Sequence, residues 1–228
     1  MINPPEKPVL IFVVTEDWYF YSHRRPMIRA AQEAGFEVAV ITHVDRHREK
    51  IEALGVRVID FSFERRSLNP LRALGQIARL TTLYRREKPV IVHHIAMKPI
   101  LFGAVAAWRA KIPVVINAFA GLGYVFNARN PLALSLRLAL LLPFFCLLRR
   151  RNSFLLMQNG DDLATLQQYG LVVHSRAKVI RGSGVDLAAY PATSTPAPSP
   201  DFVCVYAGRM IGIKGLPTLR EAFALLEK

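Results

Sequence analysis

Glycine is absent from the first 34 residues of this 228-residue chain, and the whole chain holds only two cysteines. Acidic side chains are scarce too, 17 against 30 Lys and Arg. Each shortage excludes something. A dinucleotide-binding βαβ unit needs a glycine-rich turn after its first strand, where backbone approaches the pyrophosphate. Here Thr15-Glu16-Asp17-Trp18-Tyr19-Phe20 stands in that place, so an NAD or FAD site is disfavoured. Cys146 and Cys204 are far apart, fit no metal or redox spacing, and sit in apolar runs. They read as buried thiols of a reducing compartment. No secretory leader is expected, since the apolar run Val9–Val14 is short and follows Glu6 and Lys7. A cytoplasmic protein is expected. The formal net charge of +13 favours phosphates, nucleic acid or an anionic membrane face. No helix-turn-helix, zinc-finger or RNA-binding motif is readable and the arginines are scattered, so nucleic acid is not the expected partner.

What is present is alternation. Short β-branched runs alternate with segments of helical period, predicting βα repeats and a parallel sheet covered on both faces. The predicted strands are 9–14, 38–42, 56–59, 90–94, 114–117, 154–158 and 178–180. Helices are expected over 26–34, from the Asn69-Pro70 start onward, over 99–111 and over 162–169. Residues 188–200, AAYPATSTPAPSP, have linker composition. After them a strand over 202–206, a loop over 207–215 and a helix over 216–227 begin a second unit. The expected organisation is a Rossmann-like domain over 1–187, the linker, and the opening of a second α/β domain over 201–228.

Several positions carry possible chemistry. The aromatics Trp18, Tyr19 and Phe20, read as a loop, lead into Tyr21-Ser22-His23-Arg24-Arg25, a surface suited to stacking on a ring and binding an anion. An ordinary staple with a solvated basic helix start explains the same residues. His93 and His94 end the fourth strand with Lys98 beyond, near where open α/β sheets gather ligands. A structural histidine fits equally well, and no third ligand points to a metal. Gly121 and Gly123 follow the fifth strand, as a ligand approach or a plain turn. Gly182 and Gly184 stand before the linker. Gly208, Arg209 and Lys214 lie between a strand and a helix, where a guanidinium fork, an ammonium and helix N–H groups suit a diphosphate. Residues 131–148 are strongly apolar, interrupted by Arg137 and Pro143 and followed by Arg149-Arg150-Arg151. A buried helix beside the sheet, an interfacial helix on lipid, and a short transmembrane span remain open for them.

The segments DWYFYSHRRPMIRAAQEAGFEV, VHHIAMKPILFGAVAA, VVINAFAGLGYVF, VIRGSGVD and AGRMIGIKG occur in this order and extend over most of the chain. Together they resemble the family-4 retaining glycosyltransferases of the GT-B fold, in the bacterial branch that builds O-antigen, capsule and other lipid-linked polysaccharides. The resemblance implies an acceptor-binding first domain, with Tyr19, His23, Arg24, His94, Lys98, Gly121 and Gly123 as candidates. It implies a donor site with Gly184, Gly208, Arg209 and Lys214, the last two gripping the nucleotide-sugar diphosphate. Transfer would proceed with retention, without metal or other cofactor, the donor phosphate helping to deprotonate the acceptor. The implied partners are a nucleotide-sugar, a polyprenyl-diphosphate-linked acceptor and the cytoplasmic face of an anionic inner membrane, met through residues 131–151. Two departures stand out. The run Asn117-Ala118-Phe119-Ala120 lacks the histidine that many relatives carry before the glycine turn. The family's paired glutamates, seven residues apart, would fall beyond Lys228. The expectation is therefore a truncated second domain and a chain inactive by itself. A non-catalytic membrane-surface module and a basic nucleic-acid-binding protein are the alternatives.

Overall fold

The computed structural model describes residues 7–63, 69–127, 130–182, 184, 187, 203–208, 210 and 214–226. The chain divides into two compact units, Met1–Val185 and Asp186–Lys228. In the first, seven parallel strands run β1 (Val9–Glu16), β2 (Glu37–His43), β3 (Arg57–Asp60), β4 (Ile91–Ile95), β5 (Val114–Phe119), β6 (Ser153–Met157) and β7 (Ala177–Val179). Their order is β3-β2-β1-β4-β5-β6-β7, so the direction of winding reverses between β1 and β4. Each strand falls within two residues of its expected position.

Strand alternation sorts the core. Phe12, Val14, Val40 and Ile95 face one side, packed by Phe20 of α1 (Asp17–His23), Ile28 of α2 (Arg25–Glu33) and Ile51 of α3 (Arg48–Glu52). Val13, Ile41 and Val92 face the other, under α4 (Pro70–Glu87) and α5 (Met97–Ala110). A third cluster joins Phe119, Leu155 and Met157 to Phe144 of α7 (Pro131–Leu148) and Leu166 of α8 (Gly160–Gln168). The short α6 (Gly123–Asn127) precedes α7. Asn69 caps α4 by accepting from Leu71 N at 2.9 Å, with Pro70 in the first turn, as its sequence predicts. Asn130 does the same for α7, accepting from Ala133 N at 2.9 Å.

Three expectations are corrected. Residues 17–23 form a helix, not a loop, because Asp17 is buried and bonds ahead of it in space, as described below. Cys146 and Cys204 are both exposed, so an apolar neighbourhood in sequence did not mean burial. In the second unit, residues 203–206 form no strand; no partner strand exists among its described residues, and Val203 and Val205 are exposed. That unit's regular element is α9 (Leu216–Leu226), entered through Gly215 at φ +77°. The linker 188–200 lies outside the described residues.

Candidate functional site

The site begins with Asp17, the first residue past β1. Its carboxylate is fully buried and accepts from three consecutive backbone N–H groups, Asp45 at 2.8 Å, Arg46 at 3.1 Å and His47 at 2.9 Å. The other oxygen accepts from Trp18 N at 2.6 Å. Burial alone would raise this carboxyl's pKa. The N–H donors of His47, Asp45 and Trp18, with the charge of His47, outweigh burial and hold it below the usual value. Asp17 thus fixes the start of α1 against the loop before α3. Seven residues later α1 ends at Arg24, which is also the N-cap of α2.

Arg24 is only 7% exposed. Its Nη2 donates to the Tyr19 hydroxyl at 3.2 Å and its Nη1 to Met27 Sδ at 3.5 Å, while Nε has no partner. Among the described residues no carboxylate pairs with it. A buried guanidinium without a counter-charge costs several kcal/mol, and its location explains why it persists. With His23, Pro26 and Met27 it walls a cavity of about 260 Å³. The other walls are Ala118 and Phe119 at the end of β5, Leu156–Gln158 at the end of β6, and Ile180 and Gly182 past β7. These are carboxyl ends of strands, where open α/β sheets take ligands. The first turn of α2 borders the cavity, and helix N-termini favour anions. His23, which lines the cavity, is backed by Tyr19, ring centroids 4.4 Å apart and stacked. The arrangement suits an anionic group with a ring or sugar attached.

Residues 9–151, more than half of the chain, match the family described as Glycosyl transferase 4-like. The chain belongs to this family. Among curated proteins it is 35% identical over 103 residues to an N,N'-diacetylbacillosaminyl-diphospho-undecaprenol alpha-1,3-N-acetylgalactosaminyltransferase of Campylobacter jejuni. That alignment covers 45% of this chain and 27% of the relative. Among solved structures, a glycosyltransferase from Rickettsia africae superposes with a TM-score of 0.58 at 13% identity, over 77% of this chain and 43% of that one. The Anabaena protein HepE, in complex with UDP and glucose, superposes at 0.54 with 16% identity, over 82% and 47%. A UDP-GlcNAc 2-epimerase from Methanocaldococcus jannaschii superposes at 0.51 with 17% identity, over 77% and 45%. The fold is therefore the α/β layer shared by GT-B glycosyltransferases and these epimerases. The chain spans less than half the length of each of these relatives.

Within this glycosyltransferase 4-like domain the expected site residues separate. His23 and Arg24 line the cavity, and Tyr19 stands behind them, stacked on His23 and hydrogen-bonded to Arg24, without lining it. His94 does not line it either, and this corrects the expectation: it is fully buried on the opposite face of the sheet, between Tyr84 and Asn117. Its ring fills the space left by Gly103 of α5, where an added Cβ would overlap it. The residue on the Arg24 face is His93, 3% exposed, with its ring 5.2 Å from Phe12 and Nε2 unpartnered. Register decides this, since His93 pairs with Phe12. Lys98 lies half-buried on the first turn of α5 and does not line the cavity. Gly121 and Gly123, at φ +114° and +59°, form a turn around buried Leu122 outside the cavity wall. Gly184, at φ +65°, is exposed, and it is Gly182 that reaches the wall. In the second unit Gly208 lies close against the Tyr206 ring and Lys214 is exposed ahead of Gly215. Arg209 lies outside the described residues. Sequence reasoning missed Asp17 as the residue that positions Arg24. An acid at the first helical turn, three residues before an apolar Phe20, was the available signal.

The two histidines predict an acid-sensitive fold. Burial, then the charges of Arg24 and His94, push His93 down to about 3. Burial pushes His94 down to about 4, against the opposing hydrogen bond of Asn117. Both are neutral in the folded chain, while an unfolded histidine binds its proton near pH 6.5. Stability is therefore complete above about pH 6.5 and falls as pH drops toward these lowered values. The slope is about 1.4 kcal/mol per pH unit for each ring. Asp17 acts in a lower window, losing its contribution only as pH falls below the ordinary carboxylate range. Urea midpoints should fall between pH 6 and pH 4.5, with roughly half the slope in His93→Phe. A midpoint flat over that range would contradict the burial of both rings as neutral groups.

Proposed function

We propose that this chain carries the acceptor-binding domain of a retaining glycosyltransferase. The enzyme transfers a hexosyl or N-acetylhexosaminyl group from a nucleotide-sugar to a polyprenyl-diphosphate-linked saccharide at the cytoplasmic face of the inner membrane. The product belongs to a bacterial surface polysaccharide. The observation that carries this reading is Arg24, a buried cation with no carboxylate partner among the described residues, set in a cavity at the strand ends of a glycosyltransferase 4-like domain. The Campylobacter relative supports the acceptor class, since its name specifies a saccharide on diphospho-undecaprenol. In this reading Arg24 takes acceptor phosphate oxygens with its fork and the Tyr19–His23 stack holds the adjoining sugar. Gly184, Gly208, Arg209 and Lys214 serve the donor diphosphate, whose departing charge needs cations. No metal or other cofactor is required, because the donor phosphate itself accepts the acceptor's proton.

The test, on an enzyme that joins this domain to a complete donor-binding domain, is transfer of radiolabel from UDP-linked N-acetylhexosamines and hexoses into a butanol-extractable lipid. Label is expected in the lipid phase with a diphosphate-linked saccharide acceptor, and not with the same saccharide as an uncharged glycoside. Epimerised donor sugar, with none transferred, would overturn the reading.

A further inference from the structure

Away from Arg24 the cavity at the strand ends is largely apolar. Met27 of α2, Ala118 of β5, Leu156 of β6 and Ile180 past β7 line it, and no carboxylate among the described residues shares its wall. Its volume, about 260 Å³, gives room for one sugar ring rather than a chain of them.

Beyond Arg24 and His23, one polar side chain interrupts this lining. Gln158 is the first residue past β6, and strand parity puts it on the same face as Leu156. It is half-buried and makes no hydrogen bond among the described residues. Its backbone is held on both sides. Asn159 caps α8, its Oδ1 accepting from Asp162 N at 2.7 Å and its Nδ2 donating to Asp162 Oδ2 at 3.1 Å. On the other side Met157 O accepts from Ile180 N at 2.8 Å. A free carboxamide is thus carried into the cavity on a fixed strand end.

A carboxamide is a donor and an acceptor side by side. The group that answers both is another amide. An acetamido substituent on a sugar offers an N–H and a C=O to Gln158, and its methyl meets the apolar wall of Met27 and Leu156. A hydroxyl in that place can bond to Gln158 but leaves the apolar wall against water. A free amine, protonated near neutral pH, is repelled by Arg24 with no carboxylate in the wall to offset it. We infer that Gln158, with the wall of Met27, Ala118 and Leu156, selects an acceptor sugar bearing an acetamido group over the same sugar bearing a hydroxyl or an amine there. Arg24 anchors the anion and Gln158 determines specificity. The inference rests on the proposed function for the order of the parts, an anionic group with a sugar beside it.

The chain itself can be titrated with hexose 1-phosphates, which give Arg24 a phosphate and differ only at C2. N-acetylglucosamine 1-phosphate should bind roughly ten-fold more tightly than glucose 1-phosphate, and glucosamine 1-phosphate more weakly than either. In saturation-transfer NMR the acetyl methyl protons should receive the strongest transfer. Gln158→Leu should bring N-acetylglucosamine 1-phosphate to the affinity of glucose 1-phosphate. Gln158→Asn, which withdraws the amide by one methylene, should lose most of the preference and carries the same test if the leucine variant does not fold. Equal binding of the acetylated and hydroxylated sugars, a preference untouched at Gln158, or no binding of any probe overturns the inference. Arg24→Met reports on the proposed function separately. If it weakens all three phosphates while no acetamido preference exists, only the specificity fails. If it weakens none while the preference depends on Gln158, the specificity stands and the anion site at Arg24 fails.

Discussion

In an enzyme that joins this domain to a complete donor-binding domain, replacing Arg24 by Met is expected to lower sugar transfer by on the order of 10²- to 10³-fold and to raise the melting temperature. The two effects have opposite signs because they share one cause. Arg24 is buried, its Nε is unpartnered, and its hydrogen bonds reach only a tyrosine hydroxyl and a thioether. Without ligand, its charge is desolvated and meets no carboxylate among the described residues, which destabilises the fold. Methionine matches much of its length, packs against Met27, and removes that charge. A gain of about 1 kcal/mol would raise the melting temperature by roughly 2–4 °C in a domain of this size. With substrate, the guanidinium is the group that meets the phosphate, and its loss is felt in kcat/KM. Arg24→Lys keeps a charge but loses the two-pronged fork, so its activity should fall between the two. Steady-state transfer and calorimetry on the same preparations decide. If the Met variant melts lower, Arg24 is a structural strut between Tyr19 and Met27. If it transfers at the wild-type rate, the anion site lies elsewhere.

His94→Leu is expected to cost about 3–5 kcal/mol of stability, the largest loss foreseen for a single change. The buried chain runs from the Tyr84 hydroxyl to His94 Nε2 at 2.9 Å and from His94 Nδ1 to Asn117 Oδ1 at 2.9 Å. It continues from Asn117 Nδ2 to Ser153 Oγ at 3.0 Å. Asn117 presents an oxygen, so His94 donates from Nδ1 and receives the Tyr84 proton at Nε2. One neutral tautomer satisfies both ends. Burial also raises the Tyr84 hydroxyl's pKa, keeping it a donor. Leucine would leave both a buried hydroxyl and a buried amide oxygen unpaired, each costing about 1–3 kcal/mol. Tyr84→Phe alone should cost less, and the double variant less than the sum, because the second change removes a group already orphaned. Urea unfolding of the four proteins at pH 7.5 measures this coupling. Strict additivity would mean that the chain does not act as a unit.

Much of the sheet was legible because its strands are covered on both faces and read as unbroken apolar runs. Val9–Val14 and Val38–Thr42 are examples, and the structure extends each by only a residue or two. The site was legible in part. A basic, aromatic segment after the first strand pointed to Arg24, but its helix was hidden. Helix α1 depends on bonds from Asp17 to residues 45–47, close to thirty positions away, and an acid in the first turn is their one local sign. The choice between His93 and His94 turned on strand parity, which a single sequence leaves unanchored until the pairing with Phe12 is seen. Residues 131–148 are apolar all round, so their composition did not say which face docks; the inward Arg137 and buried Phe144 decide that in three dimensions.

The contacts of Asp17 have a consequence for loop length. One carboxylate oxygen gathers the N–H groups of residues 45, 46 and 47, and α1 carries that anchor roughly 10 Å to Arg24. Inserting or deleting a single residue between His43 and Arg48 would take one donor out of reach and let the start of α1 shift. The guanidinium would then move with it, although no residue near the ligand had changed. Connections between strands and helices ordinarily tolerate such insertions. This one is a calibrated spacer, and its length sets where the substrate's counter-charge stands.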